Sequence, residues 1–190
     1  MSMKYFYSFL AVILLTLFSI VMVSNSFKNS GNTNTKKTKT ATKLIEYLDK
    51  NSSVSLTNSG SIVGENEYKS LRITVSRSER TIEILNGYEY VPSQVSTYSN
   101  TPEAYNVFLL ALNNAGFTKS KSSSIKDERG LCPLGRTYVY NLKENSNNVI
   151  RTWSNTCANS VTFTGNGSVV RTLFQKQIPE YGKFSAKLNI

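Results

Sequence analysis

The stretch LRITVSRSERTIEIL, residues 71–85, leaves little choice of local structure. Leu71, Ile73 and Val75 alternate with Arg72, Thr74 and Ser76, and Ile82 and Ile84 alternate with Thr81 and Glu83. A period of two puts the apolar side chains on one face. The stretch therefore predicts two antiparallel strands, joined by a turn at Arg77, Ser78, Glu79 and Arg80 and buried on one side. A sheet buried on one face needs a second layer to cover it. NTPEAYNVFLLALNNAGF supplies one, as a helix with Thr101 capping the first turn, Pro102 in the first helical position, Glu103 against the dipole and Gly116 as the left-handed stop. Ala104, Phe108, Ala111, Leu112 and Ala115 make its apolar face, and Val107, Leu109 and Leu110 widen it, so the helix is expected to be covered on most sides.

Weaker signals extend the pattern. Leu44, Ile45 and Leu48 fit a short helix at the domain start, SVSLT and SIVG a hairpin across Asn58-Ser59-Gly60, and VTFTG a strand. SVVRTLFQKQ keeps helical spacing at Val169, Val170, Leu173 and Phe174 until Ile178-Pro179 ends it. The expected class is α+β, an antiparallel sheet packed by one or two helices over residues 43–190, preceded by a single N-terminal transmembrane helix.

That helix is read from residues 5–23, an uncharged run of 19 residues. As a helix it would reach roughly 28 Å, close to a ~30 Å hydrocarbon core. The run is long for a cleaved secretory signal, although Ser24-Asn25-Ser26 offers a small-residue cleavage site. Residues 24–42, SNSFKNSGNTNTKKTKTAT, hold too few apolar groups to offset ordering and read as a tether with a reach of about 25 Å. The tether lysines also raise an opposite topology, because positive charge favours the cytoplasmic side.

Cys132 and Cys157 bear on that choice. RTYVYNL and VIRTWS read as two strands turning at residues 143–148, with Tyr138, Tyr140 and Leu142 on one face of the first and Val149 and Trp153 on one face of the second. Each cysteine lies a few residues beyond the open end, so the hairpin brings them within reach of a disulfide. A spacing of 25 residues, with Pro133 after the first, does not suit a redox C-x-x-C pair. Two buried thiols are the alternative if the domain is cytosolic. A disulfide persists outside the cytosol, which favours a signal anchor in the cell membrane with an extracytoplasmic domain.

The segments GLCPLGRTYVYNL, WSNTC, TFTGNGSVVRTLF and QIPEY, 36 residues of the C-terminal third, resemble membrane-anchored proteins of unassigned function from Saccharibacteria, small episymbiotic bacteria of the candidate phyla radiation. The resemblance implies an anchored, extracytoplasmic architecture. It implies no activity and no catalytic residues.

Composition narrows the chemistry. The chain has no histidine, which removes Ser-His-Asp and Cys-His nucleophile arrangements and His-containing metal sites. No cofactor or metal is expected, since two cysteines alone cannot make a four-ligand thiolate site. The formal charge is +10, but from residue 41 onward 17 basic face 12 acidic residues. Such a surface attracts anionic polymers without selecting among them. Together with 64 Asn, Ser and Thr residues, it suits a tethered envelope module, binding or structural, whose partners are the membrane, anionic envelope polymers or a surface protein. Tyr88, Tyr90, Tyr98, Arg136 and Arg151 are the candidate contact residues.

Three other readings are kept. An envelope hydrolase would need a carboxylate pair, for which Glu65, Glu67, Glu83, Glu89 and Glu103 are available without a distinguishing spacing. A pilin-like subunit would need a Gly cleavage site and a continuous helix that the tether interrupts. Nucleic-acid capture would draw on basic charge and tyrosines, but the charge is modest.

Overall fold

The computed structural model describes residues 43–188; the expected membrane helix and tether lie outside them. Among the described residues no helix is long and apolar enough to cross a membrane. The strands are β1 (Ser52–Ser59), β2 (Lys69–Ser76), β3 (Glu79–Asn86), β4 (Val91–Ser99), β5 (Thr137–Glu144) and β6 (Asn147–Asn155). They form one antiparallel sheet in the order β4-β3-β2-β1-β5-β6. The helices are α1 (Pro102–Asn114), α2 (Gly167–Gln175) and α3 (Tyr181–Ser185), with one 3-10 turn at Leu44–Tyr47.

The alternation in residues 71–85 becomes the centre of the buried face. Leu71, Ile73, Val75, Ile82 and Ile84 are buried, while Arg72 pairs across the strands with Glu83 on the opposite face at 3.5 Å. Val54 and Leu56 of β1, and Tyr138, Tyr140 and Leu142 of β5, continue the same buried surface. β1 is the hinge of the topology, because it pairs with β2 on one side and with β5 on the other.

The helices close this face. Thr101 accepts the Ala104 N–H, Pro102 starts α1, and Gly116 follows it at φ 76°, a conformation that a Cβ disfavours. The buried stripe of α1 is narrower than its sequence suggests. Tyr105, Phe108, Leu109 and Leu112 face the core, whereas Val107 is 67% exposed and Leu110 44%. The helix is covered on one side only, since nothing among the described residues packs over its outer face. α2 turns Val170 and Phe174 inward and leaves Val169 on the surface. Phe174 meets Phe108 edge-on at 5.2 Å and lies 6.1 Å from Phe117, and Tyr140 stacks on Phe163 at 4.2 Å.

Two expected elements are absent, and β4 and α3 are new. SIVG does not pair with SVSLT: after β1 the chain leaves the sheet, and the Ile62 N–H donates to the Pro133 carbonyl, tying this loop to the cysteine loop. VTFTG makes a single bridge, Ser120 to Phe163, and no strand. β4 was hidden because an edge strand with polar side chains on both faces shows no alternation. The hairpin of β5 and β6 forms as expected, with Asn145 and Ser146 at positive φ in a two-residue turn.

Candidate functional site

Cys132 and Cys157 form a disulfide, with their Cα atoms 5.7 Å apart. It sits beyond the open end of the β5–β6 hairpin and fixes the short segment that leads into β5. Gly135 N–H donates to the Cys132 carbonyl, Arg136 N–H donates to Thr156 Oγ1 at 3.0 Å, and Thr156 N–H returns a bond to the Arg136 carbonyl. Gly135 packs directly against Thr156 Oγ1 and Cys132 Sγ, leaving no room for a side chain. The backbone N–H and carbonyl of Arg136 are thus both held by Thr156.

Arg136 opens onto a cavity of about 300 Å3 between the sheet and the C-terminal helices. Periodicity explains how its wall is assembled. On the strands, Leu56 and Asn58 of β1, Leu71 and Ile73 of β2, and Tyr138 of β5 share the helix-facing side at intervals of two. On the helices, Arg171 and Gln175 lie one turn apart on α2, as do Tyr181 and Ser185 on α3. The Arg171 guanidinium lies over the Tyr138 ring at 4.4 Å, and Gln175 Nε2 donates to Tyr181 Oη at 3.3 Å. Burial raises the Tyr181 phenol above its ordinary pKa, so it stays a neutral hydroxyl.

The electrostatics of this cavity are one-sided. Two guanidiniums line it and no carboxylate does. Among the described residues neither Arg136 nor Arg171 belongs to a salt bridge, while Arg72, Arg77, Arg129 and Arg151 each do. The Asn58 side-chain oxygen is buried and accepts no hydrogen bond, which is costly unless something else supplies a donor.

The other candidate residues have different surroundings. Tyr88 stacks on Tyr68 at 4.1 Å and donates from its hydroxyl to the Val63 carbonyl at 2.6 Å, pinning the loop after β1. Tyr90 meets Tyr68 edge-on at 6.4 Å and, with Ser59, Glu128 and Cys132, lines a second void of about 20 Å3, room for one water. Tyr98 is half-buried against the main core. Arg151 donates to the buried carboxylate of Glu128 at 2.7 Å and approaches Trp153. Arg136 alone of the five lies in the larger cavity. Arg171, Asn58 and Gln175 were not legible as site residues, since each satisfies the local pattern of its own strand or helix. None of Glu65, Glu67, Glu83, Glu89 and Glu103 lines the cavity.

Tyr90 gives a measurable signature. Burial, and then the neighbouring Tyr68 phenol, push its pKa from 10.0 to about 12. The folded state therefore holds this proton more tightly than the unfolded chain. Its contribution to stability is complete below pH 10 and is lost as pH rises toward 12. Tyr90→Phe is expected to lose less stability between those two pH values than the parent, as read from urea midpoints at each pH. Identical losses would show that other groups carry the alkaline transition.

The chain matches no protein-family model, no curated protein and no solved structure.

Proposed function

We propose that this chain is a non-catalytic binding module of the cell envelope, held at the membrane by its N-terminal apolar segment and exposed on the extracytoplasmic side, with the Arg136–Arg171 cavity as its ligand site. The observation that carries the reading is a cavity lined by two arginines and by no carboxylate. An uncompensated pair of this kind is unfavourable in a partly enclosed space and becomes favourable when an anion enters. Arg, with its planar fork of donors, suits carboxylate and phosphate oxygens better than a point charge does. The disulfide supports the extracytoplasmic side, since such bonds persist in oxidising compartments. The resemblance to anchored Saccharibacteria proteins points the same way.

Two measurements test it. On intact cells making the full chain, a membrane-impermeant maleimide should label Cys132 and Cys157 only after treatment with an impermeant reductant. Thiols that react without reduction, and only after lysis, would overturn the location. Full-length chain in detergent should be retained on an acidic envelope extract, and the double variant Arg136→Gln, Arg171→Gln should pass through. Equal retention of both would remove the cavity as the ligand site.

A further inference from the structure

The geometry points to an acidic sugar as the ligand of this cavity: a hydroxyl-rich ring carrying one oxyanion, either a carboxylate or a phosphate. This inference rests on the cavity being the ligand site and adds the class of molecule that it takes.

The two guanidiniums call for an oxyanion, but an oxyanion alone leaves the rest of the wall unsatisfied. Beyond the two arginines the wall carries neutral groups that donate and accept, the hydroxyls of Tyr181 and Ser185 and the amides of Asn58 and Gln175. Gln175 gives one of its two amide N–H groups to Tyr181, which leaves a second N–H and the carbonyl oxygen for a ligand. A ligand that satisfies this wall brings neutral groups able to donate and accept, along with its negative charge. An ammonium group would donate, but it would be repelled by Arg136 and Arg171. Neutral hydroxyls donate without that penalty.

Size and shape agree with the chemistry. About 300 Å3 is at the small end of ligand cavities and suits a single ring or the terminal residue of a polymer. Leu56 and Leu71 offer a limited apolar patch for the C–H face of a ring, beside the rings of Tyr138 and Tyr181. A fatty acid would find too little apolar wall, and inorganic phosphate would leave most of the space and both amides unused.

The test uses the full-length chain in detergent and titration calorimetry with D-glucuronate, glucose 6-phosphate, glucose, acetate and inorganic phosphate. Glucuronate or glucose 6-phosphate should bind at least about ten-fold more tightly than glucose, acetate or phosphate, because each charge-assisted or buried hydrogen bond is worth a factor of that order. The relative strength of the two acidic sugars tells a carboxylate source from a phosphate source. Arg136→Gln and Arg171→Gln should each weaken binding about ten-fold or more, and Arg171→Lys should fail to restore it because the fork is lost. Asn58→Leu should weaken the sugar acids and leave the weak acetate binding unchanged, a separation that general unfolding would not produce. If phosphate or acetate bound as tightly as the sugar acids, the site would be a simple anion site: the sugar assignment would fall and the anion-binding cavity would stand. If no anion bound, while the chain was still retained on envelope extract, both would fall.

Discussion

Phe174→Ala is expected to lower the stability of the domain by about 4 kcal/mol, near the upper range for truncating a buried aromatic. Phe174 is fully buried, with Phe108 of α1 edge-on at 5.2 Å and Phe117 at 6.1 Å. Its ring joins the two longer helices to each other. Truncation would remove apolar area and both aromatic contacts, and the sheet below cannot move up to fill the space because its inner strands are hydrogen-bonded on both sides. Unfolding in urea, followed by the fluorescence of the only tryptophan, Trp153, would show the shift in midpoint. Val169→Ala is the matching control, since Val169 lies on the same helix and is 44% exposed. That variant should change stability little. Similar losses in the two would mean that α2 is not docked as described.

Removing the disulfide is expected to be nearly as severe. Cys132 and Cys157 close a loop with a sequence separation of 25, and the chain-entropy relation gives about 3–3.5 kcal/mol for a loop of that size. The double variant Cys132→Ala, Cys157→Ala should unfold at a correspondingly lower urea concentration, and the parent should match it once reduced. The site should respond as well. Arg136 is held through Thr156, the residue before Cys157, so loosening this end frees one of the two guanidiniums. Ligand affinity should then fall on reduction even at temperatures where the sheet is intact. A parent indifferent to reductant in both respects would show that the hydrogen bonds alone hold this corner.

What could be read from residues alone depended on how local the deciding contacts were. The hairpin of β2 and β3 was legible because the partners are adjacent in sequence and one face is buried, so alternation and turn agree. The ends of α1 were legible for the same reason, since Thr101, Pro102 and Gly116 act within a turn. The partners of β1 were not. SVSLT was assigned a neighbour four residues away, whereas it lies between β2 and the distant β5. The site inherits that difficulty. Arg136 was singled out as an exposed cation, but the companionship of Arg136, Asn58 and Arg171 arises only when β1 meets β5 and α2 folds over them. No spacing in the sequence encodes it. Tyr88, Tyr90 and Arg151 illustrate the reverse case, in which side chains suited to contact with a partner are engaged by Tyr68 and Glu128 of the same chain.

The central position of β1 has a consequence for how the molecule is made. β2, β3 and β4 follow one another through short turns and can zip together as soon as they are synthesised. β1 gains one partner with them, but its other edge must wait until residues 137–144 are available. Until then a ladder of eight backbone pairs is open, in a chain that passes through its machinery from the N-terminal end. Closing it joins segments some eighty residues apart and is entropically the slowest contact in the sheet. The strand synthesised first is therefore completed late, and the cavity, whose floor is β1 between β2 and β5, cannot form before that step.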